Sequence, residues 1–75
     1  MSARPVKRSL TLHGHRTSVS IEAAFWDEFR RIAAARSLSI NGLSAKIDAS
    51  REVGTGLATA IRLFVLADLQ DRLRG

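Results

Sequence analysis

The sequence predicts a mainly helical protein with one β-strand and three helices, in which two copies of the strand pair as an antiparallel ribbon. Residues 13 to 21 form the one segment with a clear period of two, and the apolar spacing after residue 21 is helical. With 75 residues the chain is close to the size at which a single core is barely sufficient. The absence of cysteine excludes disulfides and thiolate metal sites as supports. Association of copies remains as the further source of stability.

The strand has two different faces. Thr17, Val19 and Ile21 fall on one face, whereas the other face carries Gly14, Arg16, Ser18 and Ser20. A strand without a partner in its own chain leaves backbone hydrogen bonds unmade, so we expect it to pair with its copy about a two-fold axis. Val19 and Ile21 would then lie in the oligomer interface. Arg16, Ser18 and Ser20 would face solvent on a ribbon that fits the major groove of DNA and reads base edges.

The net charge of +5 is unevenly distributed along the chain. Residues 1 to 21 contain four basic side chains and no acid, namely Arg4, Lys7, Arg8 and Arg16. The remaining residues carry eight basic and seven acidic side chains. We interpret residues 1 to 12 as a flexible basic arm and residues 13 to 75 as the folded domain. A dimer would bring two such arms to one surface, where a polyanion would bind, and a merely solvated basic tail is the alternative.

Three helices are predicted after the strand. Helix A spans about residues 22 to 36 and buries Phe25, Phe29, Ile32 and Ala33, with Trp26 at the core edge or in the subunit interface. Helix B runs from Ile40 to Ser50 and is capped by Ser39, whose hydroxyl is placed to accept from the amide of Asn41 or Gly42. Free amides at such a start suit a DNA phosphate, although an ordinary cap without a ligand is equally compatible with the pattern.

Helix C, predicted at about residues 56 to 73 with Thr55 as its cap, has two apolar stripes. The first contains Leu57, Ile61, Phe64 and Val65 and would cover helices A and B. The second contains Leu66, Leu69 and Leu73 and lies almost opposite, where one dimer cannot bury it. We therefore predict an oligomer interface at these leucines, formed with the copy in the same dimer or in a second dimer, and the second arrangement is a tetramer. The alternative is a frayed end whose leucines are shielded by Arg72 and Arg74.

Other classes of function have little support in the sequence. His13 and His15 have the spacing of a metal-ligand pair, but no cysteine exists and no acid lies within the strand, so we expect no metal, no cofactor and no catalytic residue. Gly54-Thr55-Gly56 lacks the lysine of a phosphate-binding loop. No apolar stretch is long enough to span a bilayer and no secretory signal begins the chain, which makes the cytoplasm the expected location.

The order of these elements carries a family resemblance. The run His15-Arg16-Thr17-Ser18-Val19-Ser20-Ile21-Glu22 followed by Phe25-Trp26, and the Ser39-x-Asn41 that opens helix B, resemble the ribbon-helix-helix family of bacterial transcription factors over residues 8 to 70. More narrowly, they resemble a bacterial subfamily with an added third helix. The resemblance implies a ribbon-helix-helix dimer that inserts its ribbon in the major groove and holds phosphate at the start of its second helix.

Carried over by position, the resemblance makes Val19 and Ile21 the inward residues and Arg16, Ser18 and Ser20 the base readers. The phosphate contacts would be Ser39, Asn41 and Gly42, and we add Lys7 and Arg8 from the basic arm. The predicted function is a sequence-specific transcriptional regulator, specifically a repressor, with double-stranded DNA and a second copy as partners. A protein-interaction or antitoxin-type module, in which the third helix binds a partner protein, is the alternative.

Overall fold

A computed structural model describes residues 3–75 as a two-stranded antiparallel ribbon followed by three helices. The strands are β1 (Val6–Leu12) and β2 (His15–Ile21), and the helices are α1 (Ala23–Ala35), α2 (Ile40–Ser50) and α3 (Leu57–Arg74). All three helices therefore begin and end within one residue of the predicted bounds. The predicted mainly helical architecture is confirmed for the described residues.

The ribbon forms within one chain. β1 pairs with β2 from Val6 opposite Ile21 to Leu12 opposite His15, and the two residues between the strands both have positive φ, 52° at His13 and 80° at Gly14. Positive φ at both central residues is the mark of the type I′ turn, whose twist matches that of the two strands it joins. Glycine adopts this conformation without steric cost.

This hairpin corrects the prediction of a single strand without a partner in its own chain, which is wrong. Residues 6 to 12, predicted as part of a flexible arm, form β1. The premise of an intermolecular ribbon therefore does not hold, because β2 already has a partner strand. The physical reason lies in the His13-Gly14 turn, which reverses the chain in two residues and brings Leu10 and Leu12 beside β2.

The core lies between the inner face of the hairpin and the three helices. It contains Leu10, Leu12, Val19, Ile21, Trp26, Phe29, Ile32, Ala33, Leu43, Ile47, Ile61 and Val65. Val19 and Ile21 are thus buried inside their own protomer, which corrects their assignment to an oligomer interface. Thr17 shares their face of the strand but is exposed near the turn.

Helix α1 buries three of its four predicted core residues, Phe29, Ile32 and Ala33, and it buries Trp26 more fully than Phe25. Trp26, expected at the core edge or in a subunit interface, is only 8% exposed, and its ring centroid lies 5.8 Å from that of Phe29. Phe25, predicted in the main stripe, is partly buried beside Val65 and Leu69 of α3. The reason is that the hairpin and α3 both cover α1, so that more than one stripe of the helix is buried.

In α3 the first predicted apolar stripe packs against the core, as predicted, whereas only part of the second stripe does. Ile61 and Val65 are fully buried, and Leu57 and Phe64 pack partly against the core. Of the second stripe, Leu69 packs against the core, whereas the other two leucines are exposed. The helix is capped by Gly56 and not by Thr55, and no side chain accepts from its first amides. Within residues 3–75, none of the helices combines the length and the apolar character needed to cross a membrane.

Candidate nucleic-acid interface

The outer face of the hairpin is a continuous surface of short polar and basic side chains. Alternation along the strands places the following six side chains on this outer ribbon face, and all six are exposed: Lys7, Ser9, Thr11, Arg16, Ser18 and Ser20. They form three cross-strand pairs, Lys7 with Ser20, Ser9 with Ser18, and Thr11 with Arg16. No acid is among them. A cation therefore lies at each end of the face, with small hydroxyl side chains between.

The predicted base-reading residues Arg16, Ser18 and Ser20 all lie on the outer ribbon face. Ser9 and Thr11 lie beside them but were missed, because residues 6 to 12 were not recognised as a strand. The signal was present as a period of two, in which polar residues 7, 9 and 11 alternate with Leu10 and Leu12. The His13-Gly14 pair was the matching turn signal.

Lys7 and Arg8, both predicted to contact phosphate, point to opposite sides of β1. Lys7 is on the outer ribbon face. Arg8 faces inward, where its guanidinium carbon lies 5.3 Å from the ring centroid of Trp26 in a cation–π contact. Its Nε is buried and has no hydrogen-bond partner among the described residues. The structure therefore places Arg8 beneath the hairpin and does not bring it to the surface that Lys7 occupies.

The start of α2 is organised by two short polar contacts. Ser39 Oγ accepts a hydrogen bond from the Gly42 amide at 2.9 Å, which confirms the predicted N-cap. A Cβ at position 42 would lie 3.0 Å from Ser39 Oγ, so glycine leaves the cap uncrowded. The first intrahelical bond runs from Leu43 to Ser39, and the amides of Ile40 and Asn41 precede it. These two amides are free to donate to an anion.

A side chain of α2 connects the helix start to the ribbon. Asn41 Oδ1 accepts a hydrogen bond from the Thr11 amide at 3.0 Å. Thr11 is the outer-face residue opposite Arg16, and its amide points away from β2 toward α2. The outer ribbon face and the first turn of α2 are therefore neighbours on one surface. The structure thus places Asn41 next to Thr11, the cross-strand partner of Arg16, and the roles predicted for these residues stay predictions.

The basic side chains on this surface differ from most of those on the helices in that they form no ion pairs within the described residues. Lys7 and Arg16 form no ion pair within residues 3–75. Most helical arginines do form ion pairs: Arg31, Arg36 and Arg72 with Glu28 or Asp68, Arg62 with Glu22, Arg74 with Asp71, and Arg51, just after α2, with Asp48. The net positive charge of the folded chain is therefore most available to a ligand on the ribbon.

Glu22, the acid nearest to the ribbon, is neutralised by α3. It follows β2 directly, and its carboxylate accepts from Arg62 Nε at 2.7 Å and from Arg62 Nη2 at 3.2 Å. The hydrogen bond from Arg62 is the main reason why the pKa of Glu22 lies below its ordinary value of 4.5. Arg62 also donates to the Ser20 carbonyl at 3.2 Å, which fixes the end of β2. The carboxylate therefore adds little net negative charge beside the outer ribbon face.

The two histidines lie at the tip of the hairpin. His13 is in the turn and His15 is the first residue of β2, opposite Leu12. Within the described part of the chain, no three His, Cys, Asp or Glu side chains are grouped so as to hold a metal ion.

Comparison with known proteins identifies the family of this fold. A family model described as a ribbon-helix-helix domain matches residues 5–69, which includes both strands and most of α3. No curated protein and no solved structure matches the chain.

Proposed function

The chain belongs to the ribbon-helix-helix family, and we propose on that basis that it is a sequence-specific DNA-binding regulator that represses transcription. Members of this family are generally DNA-binding regulators rather than enzymes, and they typically form dimers. The observation that carries the proposal is the outer ribbon face. It joins Lys7 and Arg16, which form no ion pair within residues 3–75, to four short hydroxyl side chains, and none of its six side chains is acidic.

Each part of the surface has a distinct role in this proposal. A two-stranded ribbon fits the major groove, where base edges present donors and acceptors. Arg16 is the side chain able to donate two hydrogen bonds to a guanine, whereas Ser9, Ser18 and Ser20 accept or donate and so discriminate less. Specificity should therefore be concentrated at the base pairs that Arg16 reaches.

Phosphate contacts would come from the edge of the same surface. The free amides of Ile40 and Asn41 combine with the positive end of the α2 dipole, and Lys7 supplies a full charge at the far end of the ribbon. Such contacts orient the protein on DNA without reading sequence. Repression follows when the bound protein occupies promoter DNA and excludes the polymerase.

The test compares charge removal on the ribbon with equal charge removal elsewhere. Arg16→Ala and Lys7→Ala are matched by Arg30→Ala and Lys46→Ala, since those two helical residues are also exposed and form no ion pair within residues 3–75. Binding would be measured by fluorescence anisotropy on a DNA site enriched from a random pool and on random DNA. Each titration would be done at about 50 and 200 mM salt, because phosphate neutralisation makes affinity fall steeply with salt.

Arg16→Ala should lose roughly 1–3 kcal/mol on the enriched site and relax preference at one base position. Lys7→Ala should weaken binding to all sequences about equally and reduce the salt slope by about 1. The two helical controls should stay within about threefold of wild type. If the ribbon variants bind enriched and random DNA as the controls do, the outer ribbon face is not the DNA-binding surface.

A further inference from the structure

A cleft lies between the tip of the hairpin and the junction of α2 with α3, and we call it the tip cleft. Its volume is about 310 Å³, at the lower end of the range in which sites for small molecules fall. Its lining includes His13, His15, Thr17, Asp48, Arg51 and Leu57. The tip cleft therefore combines a few polar and charged groups with apolar surface, as sites for small molecules do.

Arg51 is fixed at the tip cleft by two hydrogen bonds. Its Nε donates to Asp48 Oδ1 at 2.8 Å, and its Nη1 donates to the Thr55 carbonyl at 2.6 Å. A guanidinium has five N–H donors, so Arg51 can bind a ligand without giving up either contact. Because the side chain is already held in position, less conformational entropy is lost when a ligand binds.

Asp48 provides a negative charge beside this guanidinium. Within residues 3–75 its second oxygen, Oδ2, accepts no hydrogen bond, and the side chain is 28% exposed, compared with 36% for Arg51. A ligand with only a negative charge would be repelled by Asp48, and a ligand with only a positive charge would be repelled by Arg51. A ligand that carries both charges on neighbouring groups is attracted by both side chains.

The rest of the lining suits a small body with polar ends. His15 and Thr17 lie on one side of β2 and are both exposed. An imidazole and a hydroxyl can each donate or accept, so these side chains can complete the hydrogen bonds of either charged group. Leu12 and Leu57 add apolar surface, against which a short aliphatic or aromatic side chain can pack.

From these groups we infer that the tip cleft binds a zwitterionic α-amino acid with an apolar side chain. The carboxylate of the ligand accepts from Arg51, its ammonium group donates to Asp48, and its side chain packs against Leu57. The ligand lies beside His15 and Thr17, which flank Arg16 along β2. The tip cleft is thus adjacent to the outer ribbon face, and Ser18 belongs to both.

Binding is tested by NMR on the ¹⁵N-labelled full chain without DNA, so the result does not depend on the proposed function. The apolar L-amino acids would be added singly at about 10 mM, which nearly saturates a site with a dissociation constant of roughly 1 mM. At least one of them should cause saturable shifts at the amides of His15 and Thr17 and at the Arg51 side chain. The amides of Ala34 and Ala35, which are exposed on α1, should not shift.

Two analogues of the best-binding amino acid test the class of ligand. The deaminated acid keeps the carboxylate alone, and the decarboxylated amine keeps the ammonium group alone. Each should bind at least about tenfold more weakly, because one charge-assisted hydrogen bond is lost and one repulsion remains. An acid or amine that binds as tightly as the amino acid would overturn the proposal. A panel of amino acids without saturable shifts at the tip cleft would overturn it as well.

Two substitutions that each remove one charge separate a ligand contact from a merely structural role. In Asp48→Asn the amino acid should lose its advantage over the deaminated acid, and in Arg51→Gln it should lose its advantage over the amine. Asp27→Asn is the control, since Asp27 is exposed on α1 and forms no ion pair within residues 3–75. It should keep both preferences.

Circular dichroism establishes that each variant is folded. If folded Asp48→Asn protein still prefers the amino acid to the acid by the same factor as wild type, Asp48 does not bind the ammonium group and the proposal is wrong.

Discussion

The outer ribbon face and the junction of α1 with α3 both carry basic side chains, but the two regions use them differently. At the junction, Asp68 accepts from Arg31, Arg36 and Arg72 at 3.1 to 3.3 Å, and Glu28 accepts from two of the same arginines. On the ribbon, Lys7 and Arg16 have no such acid within the described residues.

This difference lies in the availability of charge rather than in its amount, and it is the reason for proposing the outer ribbon face as the binding surface. Most arginines of this chain lie outside the ribbon, yet their charge is largely balanced by carboxylates within about 4 Å. A guanidinium in an ion pair attracts a distant phosphate weakly, because the carboxylate of the partner residue cancels most of its electric field. The ribbon carries fewer basic side chains than the helices, but within the described residues the charges of Lys7 and Arg16 are not balanced by a neighbouring carboxylate.

Removing the central acid of the junction should produce the largest change in stability. Asp68→Asn leaves three arginines facing one another across a site where the carboxylate is only 15% exposed. We expect the free energy of unfolding to fall by about 1–3 kcal/mol, since charge-assisted hydrogen bonds are lost and like charges are brought together. Urea unfolding followed by circular dichroism measures this loss.

Asp71→Asn is the control, because its 3.8 Å contact with Arg74 is largely exposed and such pairs contribute well under 1 kcal/mol. Equal effects of the two substitutions would show that the junction is an ordinary set of surface charges, and the contrast with the ribbon would lose its basis.

Acid should weaken the contact between Glu22 and Arg62 in a predictable direction. Because the hydrogen bond from Arg62 lowers the pKa of Glu22 in the folded chain, this contact stabilises the fold above pH 4.5. The contribution is lost as the pH falls below 4.5 through the lowered pKa of the folded state.

Glu22→Gln cannot ionise, so the gap in urea midpoint between wild type and this variant should be present at pH 7 and should narrow by pH 3. A difference in urea midpoint that stays constant from pH 7 to pH 3 would show that the charge of the Glu22 carboxylate does not contribute to stability.

The smallest effect is expected when a paired arginine is removed from the junction. Arg31→Ala reduces the net charge by the same amount as Arg16→Ala, but Arg31 is held by Glu28 and Asp68. DNA affinity, measured by anisotropy at a temperature where both variants are fully folded, should change by less than about twofold. A loss comparable to that of Arg16→Ala would mean that total charge governs binding, and the distinction between the regions would be wrong.

Sequence patterns predicted the helices and half of the ribbon. The apolar spacing fixed the helix bounds to within one residue, and the Ser39 cap follows from the preference of serine for that position. Arg16, Ser18 and Ser20 were placed correctly on the solvent face because β2 has a clean alternation.

The remaining features depend on tertiary contacts that local patterns do not encode. β1 was missed because Arg8 occupies an inward position, and a charged residue there hides the alternation until Trp26 is known to lie beneath it. Trp26 was expected at the edge of the core or in the subunit interface because the hairpin that covers it was not predicted. Leu69 was assigned to the exposed stripe, but it packs partly against the core, on the side of α3 that faces Ala24 and Phe25.

The two-residue turn at His13-Gly14 affects how the protein behaves at low concentration. All the backbone hydrogen bonds between the two strands are made inside one polypeptide, so the hairpin forms by a first-order step and dilution does not dissolve it. The six side chains of the outer ribbon face are thus already arranged in a single chain. In the proposed function, the shape of the outer ribbon face therefore does not depend on the concentration of the chain.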